Sequence, residues 1–166
     1  MSKSTHSEDA VVIERTFDAP ADLIWQMWID PEHFKIWYGP QGFTVPVAKM
    51  DVRVGGKRLI CMASPDGSMK MWTTGEYTEI VPIERLAYTE SPSDENGNVV
   101  SPSAMGMPEG YPATTEVTVI LEELGGRTKM VMTHAGVPAS SGAGGGWNQA
   151  FDKLADHIET FLKDKY

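Results

Sequence analysis

Apolar residues recur at two different periods along this chain, and the change of period divides it. Val11, Ile13 and Phe17 fall at even spacing, interrupted by Arg15, and predict a strand over 11–17. Asp18 followed by Pro20 signals a helix start, because a carboxylate accepts from free N–H groups and Pro tolerates the first turn. That short helix is expected to reach about Ile29. Asp30 before Pro31 repeats the signal ahead of His33, Phe34, Ile36 and Trp37, and Gly39 with Pro40 ends the second helix. From Thr44 the period falls to two, predicting strands near 44–51, 57–63, 69–80, 85–91, 114–124 and 127–135.

The turns between these strands suit antiparallel hairpins. Ser64-Pro65-Asp66-Gly67 has Pro at the second position, and Gly125-Gly126 tolerates positive φ. The stretch 92–113 is rich in Pro, Gly and Ser and too long for an ordinary loop, which makes it a candidate lid, with Met105, Met107 and Tyr111 placed to touch a ligand. After the glycines at 142–146 the period returns to that of a helix. Trp147, Ala150, Phe151, Leu154, Ile158, Phe161 and Leu162 share one face, whose burial contributes on the order of 10 kcal/mol before entropy is subtracted. The predicted order is strand, two short helices, six strands and a long helix. An α+β fold satisfies it, with a curved antiparallel sheet wrapped around the C-terminal helix and the short helices closing its open end. The 166 residues fit one domain over 11–166 behind a polar tail at 1–10.

Charge and composition remove several function classes. Fourteen basic against twenty-three acidic side chains give a formal charge of −9, which repels phosphate backbones and anionic lipid surfaces, so neither nucleic acid nor a membrane is an expected partner. Cys61 stands alone, which excludes an intrachain disulfide and fits a reducing cytoplasm. The first ten residues lack the apolar stretch of an export signal, and the run Leu23 to Ile29 is too short to span a bilayer. Gly56-Lys57 lacks the rest of a phosphate loop, and no HExxH pair or G-x-S-x-G elbow is present. No cofactor and no metal site are expected.

A set of short motifs, weak singly and specific in their order, resembles the START-like (SRPBCC) helix-grip superfamily. The similarity is to the branch related to the C-terminal domain of the heat-shock-protein-ninety ATPase activator. The motifs are Arg15-Thr16-Phe17-Asp18-Ala19-Pro20, Trp25, Asp30-Pro31-Glu32-His33, Trp37, Gly39-Pro40, Gly42-Phe43, Asp51-x-Arg53-x-Gly55-Gly56 and Pro65-Asp66-Gly67. Gly75-x-Tyr77-x-Glu79-Ile80-Val81-Pro82, Glu84-Arg85-Leu86, Gly125-Gly126-x-Thr128, His134 and Gly146-Trp147 complete the set. The resemblance covers roughly 11–163. It implies a cavity between sheet and long helix, used across the superfamily for lipids, polyketides, hormones and antibiotics, with catalysis in only some branches. Fold alone does not fix function. Where related sequences place an aromatic residue after Gly-Gly-x, this chain has Arg58, on the same strand face as Ile60 and Met62.

Arg58 either meets an anionic ligand or pairs with Glu90, Glu116 or Asp51, the commoner fate of a buried charge. Met62, Met130 and Met132 suit a pocket of loose specificity, although methionine at strand spacing is more often core. Trp37, Trp72, Tyr88, Trp147 and Phe151 offer flat lining surfaces or simply pack the core, and Trp147 docks the long helix first of all. His134, on one face with Thr128, Met130 and Met132, is the best acid/base candidate, against the commoner role of a satisfied structural histidine.

The expected function is binding of a small apolar or aromatic molecule between sheet and helix, without a recognisable catalytic constellation. The alternatives are a polyketide cyclase-like enzyme using His134 or Arg58, and a chaperone-interaction module resembling the ATPase activator of the heat-shock, stress-response system. A monomer or a homodimer fits either.

Overall fold

The meander expected from the period of two forms, and its last strand returns to pair with the first. The computed structural model describes residues 10–101, 103, 113–137 and 143–165. Its elements are β1 (Ala10–Phe17), α1 (Ala21–Ile29), α2 (Pro31–Trp37), β2 (Thr44–Met50), β3 (Lys57–Ala63), β4 (Lys70–Val81), β5 (Arg85–Ser93), β6 (Thr115–Glu123), β7 (Thr128–Ala135) and α3 (Ala143–Lys165). Among the described residues the strands make one sheet in the order β1-β7-β6-β5-β4-β3-β2, with every neighbouring pair antiparallel. This is the α+β helix-grip architecture.

Register assigns each strand residue to a face, because directly paired residues point the same way. One cross-strand row runs Val11, His134, Val117, Tyr88 and Tyr77. The next runs Ile13, Met132, Val119, Leu86 and Ile80. Both rows face the helices and form the core with them. A bulge between Tyr77 and Glu79 reverses the alternation of β4, so Tyr77 and Ile80 lie on the same face although three positions apart.

The helix α3 spans 23 residues and buries Trp147, Ala150, Phe151, Leu154 and Ile158, the face read from the sequence. It begins earlier than expected, since Gly144, Gly145 and Gly146 form its first turns instead of preceding it. Two clamps fix it. Arg15, the residue that interrupts the apolar spacing of β1, reaches α3 and donates to Asp152 Oδ1 at 2.8 Å and to the Asn148 carbonyl at 3.1 Å. Lys153 donates to the carbonyls of Tyr38, Pro40 and Phe43 at 3.3, 3.1 and 3.5 Å, tying the loop after α2 to the helix.

The cap of α2 forms as read, with the Asp30 carboxylate accepting from the Glu32 N–H at 2.9 Å. The cap of α1 does not. Its N-cap is Pro20, and the carboxylate that accepts from the Ala21 N–H at 2.9 Å is Glu123, from the end of β6, rather than Asp18. A distant strand end supplies what local sequence was expected to supply.

The candidate lid residues Met105, Met107 and Tyr111 lie outside the described residues. The described start of that connection turns at Asp94, whose carboxylate accepts from the N–H groups of Asn96 and Asn98, both at 2.9 Å. Gly97, with φ +85°, approaches Thr74 and Leu59. Those residues belong to the face of the sheet turned away from the helices, so this part of the connection covers the outer face.

Trp147→Ala is expected to destabilise the fold by about 3–5 kcal/mol, the cost of truncating a buried aromatic. Urea unfolding measures it, and a loss below about 1 kcal/mol is incompatible with the burial of Trp147 in α3.

Candidate functional site

The inner face of β3 and β5 carries a cation into the core. Arg58 is 3% exposed, and its guanidinium carbon lies 3.6 Å from the centre of the Tyr88 ring, with Phe34 at 5.4 Å and Tyr77 at 5.5 Å. An aromatic face attracts a cation electrostatically, more strongly when both are desolvated. The aromatic residue expected after Gly-Gly-x is thus replaced by an arginine held in an aromatic cage.

None of the expected carboxylates pairs with Arg58 among the described residues. Asp51 bridges Arg53 at 2.8 Å, Glu116 accepts from the Thr78 hydroxyl at 3.2 Å, and Glu90 accepts from the Tyr38 hydroxyl at 3.2 Å. Burial opposes the Arg58 charge, but Tyr88, Tyr77 and Glu90 favour it more, and its pKa lies above the ordinary guanidinium value. Arg58 Nε, the Tyr77 hydroxyl and the Tyr88 hydroxyl are buried and meet no hydrogen-bond partner in good geometry, although the guanidinium stands close enough to both phenols for its charge and a hydrogen bond to oppose the effect of their burial. Burial raises the pKa of both tyrosines, so each hydroxyl keeps its proton and can donate.

His134 anchors a second buried group. The Trp147 indole N–H donates to His134 Nδ1 at 3.0 Å, which makes Nδ1 an acceptor and places the ring proton of the neutral form on Nε2. Nε2 lies 2.8 Å from the Thr115 hydroxyl and 3.6 Å from Glu90 Oε1. Burial pushes the His134 pKa down, and Glu90 opposes that only in part. Burial, then Glu90, also lifts the Tyr38 phenol well above its ordinary value. Glu90 therefore joins Tyr38, His134 and, through the Tyr88 ring, Arg58.

The other sequence-derived candidates divide by face. Ile60, Tyr88, Met130 and Met132 are buried on the inner face, and Met62 is half-buried there under Gly39, where an added Cβ would lie 2.8 Å from its sulfur. Trp37 and Phe151 are fully buried, and Trp37 donates to the Met27 carbonyl at 3.1 Å. Trp72 stands apart: it pairs with Cys61 and Ser93, one position out of phase with Arg58 and Ile60, and so lies on the outer face. That face holds a groove of about 580 Å³ between the strands and the turn after Asp94, floored by Leu59, Thr74 and Ser91 and rimmed by Lys49 and Lys57. Tyr38, Thr115 and Trp28 carried no site signal in the sequence, because they reach the cluster from three separate elements. Glu90 had one, its even spacing from Leu86 and Tyr88. Among the described residues no group of three or more His, Cys, Asp or Glu side chains is placed to hold a metal, and no helix is long and apolar enough to cross a membrane.

The His134 geometry has a pH consequence. A histidine whose folded pKa is lowered binds its proton more readily in the unfolded chain, so stability declines as pH falls through the ordinary value of 6.5 towards the depressed folded one. Urea midpoints should fall between about pH 7.5 and about pH 5.5, and His134→Gln should flatten that decline. An unchanged slope in the variant would show that His134 is not held neutral.

A profile of the family described as activator of Hsp90 ATPase homolog 1-like protein matches residues 18–159. A search of curated proteins finds no significant match. Solved structures share the fold. A protein of Chromobacterium violaceum superposes with a TM-score of 0.75 at 25% identity, covering 91% of this chain and 97% of its own. One from Arthrobacter aurescens gives 0.71 at 26% identity, over 88% and 83% of the two chains. An AHSA1 protein of Silicibacter pomeroyi gives 0.72 at 20% identity, over 91% and 98%. With a family match across most of its length and the helix-grip fold around it, the chain belongs to the Activator of Hsp90 ATPase homolog 1-like family.

Proposed function

We propose that this protein binds a small molecule with an apolar or aromatic body and an anionic, hydrogen-bond-accepting head, held on the inner face of the sheet beside Arg58. The observation that carries this reading is the cluster of Arg58 Nε, Tyr77 OH and Tyr88 OH, three buried donors that meet one another but no well-placed acceptor. Leaving one such group unpaired costs about 1–3 kcal/mol, more for a charged one, so a carboxylate accepting from two or three of them recovers a large free energy on binding. The surrounding Phe34, Ile60 and Leu86 supply apolar contact for the rest of the molecule. Ligand sites of this type combine a mostly apolar lining with a few convergent polar groups.

Binding without turnover is favoured over a cyclase-like reaction by the state of His134. Both ring nitrogens already have partners within the protein, Trp147 on one and Thr115 on the other, so neither is free to take a substrate proton. The family description supports a second reading, contact with a chaperone through the surface. A pull-down against the chaperone separates it from ligand binding.

A thermal-shift screen of aromatic carboxylates, each beside its neutral amide, tests the main reading. A ligand at about one hundred times its Kd stabilises the folded form by about 2.7 kcal/mol and raises Tm by several degrees. The acids should outrank their amides, and Arg58→Met should erase that preference while the far-UV spectrum stays native. Equal shifts for acids and amides, or none for either, would remove the anion-binding reading.

A further inference from the structure

Away from Arg58 and His134, two further imidazoles meet where α2 packs on α3. His33 of α2 and His157 of α3 are both half-buried, and His33 Nδ1 lies 3.0 Å from His157 Nε2. The ring centres are 5.2 Å apart, so the rings meet nitrogen to nitrogen rather than stacked face to face. Phe161, one turn after His157, packs against the pair with its ring at 83° to that of His33 and the centres 5.3 Å apart. Among the described residues no other side-chain hydrogen bond joins α2 to α3.

A bond between two imidazoles needs one proton between the facing nitrogens and one lone pair to receive it. It forms when both rings are neutral. It also survives one added proton, because an imidazolium on either side donates to the neutral ring opposite. A second proton ends it: both facing nitrogens then carry hydrogen, no lone pair remains between them, and two like charges stand at contact distance. Burial, and then His33, hold the His157 pKa below its ordinary value, the direction this exclusion requires.

The charged groups around the pair do not relieve it. On α2, the Asp30 carboxylate caps the Glu32 N–H, and Glu32 bridges Lys35 at 3.2 Å. On α3, Lys153 stands one turn before His157 with its ammonium on three loop carbonyls, while Asp156 and Glu159 are exposed at positions that do not share the face of His157. From α1 the one acidic residue is Asp22, in the first turn and so at the end remote from α2. Lys49 of β2 pairs with Leu59 and lies on the outer face of the sheet. Among the described residues neither histidine has a carboxylate in an ion pair.

We infer that the His33–His157 bridge is an acid-sensitive latch, which holds α2 against the C-terminal half of α3 until the pair takes a second proton from solvent and that seam opens. The latch is independent of the ligand reading above. It does adjoin that site, since Phe34, the residue after His33, faces the Arg58 guanidinium at 5.4 Å.

Amide hydrogen exchange, corrected for its intrinsic pH dependence, reads the seam directly. Between about pH 7.5 and about pH 5.5, protection of α2 and of residues 157–165 should fall relative to β6 and β7, the opening constant rising by up to about tenfold per pH unit below about 6.5. His157→Gln removes one titrating ring and keeps a partner for His33, so this variant should stay protected at pH 5.5. His157→Phe serves the same comparison if the glutamine variant does not fold. The fall should persist in His134→Gln, which separates the seam from the buried histidine of β7. Imidazole nitrogen spectra of wild type should show His157 titrating below 6.5, with His33→Gln moving its midpoint upwards. A seam whose relative protection is unchanged in wild type, an equal fall in His157→Gln, or a His157 midpoint unmoved by His33→Gln overturns the latch.

Discussion

Trp28 is the contact through which the three helices become one layer. Its ring lies 4.9 Å from Trp37 and 6.4 Å from Phe34 on α2, and 6.1 Å from both Trp147 and Phe151 on α3. An aromatic with this many ring neighbours combines area burial with oriented edge and face contacts, each adding about 0.5–1.5 kcal/mol. Neither short helix is stable alone, since nine and seven residues are far below the length at which isolated helices persist. Their existence depends on this packing, and so does the position of Tyr38, the residue that follows α2 and reaches Glu90.

From that layer the polar interior follows. Trp147 stacks on Trp28 with one side of its ring and donates its N–H to His134, so one residue links the helix packing to the histidine tautomer. Phe34, one of the Trp28 neighbours, also stands against Arg58. The core therefore contains charges whose surroundings are set by aromatic packing rather than by ion pairing. Buried ion pairs often add little net stability because desolvation offsets their attraction. An aromatic cage attracts the cation while leaving its Nε–H without a well-placed acceptor.

Elements with a local cause were legible in the sequence. The period of two gave the meander, the Gly125-Gly126 turn appears with φ values of +63° and +93°, and the apolar stripe of α3 has the expected face. What escaped was nonlocal. The cap of α1 comes from Glu123, 102 residues away, and no pattern around Asp18 announces it. Trp72 sits in a strand with apolar residues on both faces, so alternation separates Trp72 from Met71 without saying which side is inward. Only pairing with Cys61 decides it. The bulge before Glu79 further breaks the phase within β4. At the site, Arg58 was legible as an anomaly against the family pattern, while its partnering depended on where Glu90, Glu116 and Asp51 fold. The Tyr38–Glu90–His134–Trp147 chain draws on a loop, two strands and a helix, and such convergence leaves no spacing to detect.

The two clamps on α3 occupy successive residues. Asp152 is bound by Arg15 from one edge of the sheet, and Lys153 is bound by three carbonyls of the loop on the other flank. Successive helical positions point about 100° apart, so the pair grips the helix from two directions at one level along its axis. Sliding by a turn would break both contacts, and so would rotation about the axis. The helix is thereby registered against the sheet at 152–153 in height and in rotation alike.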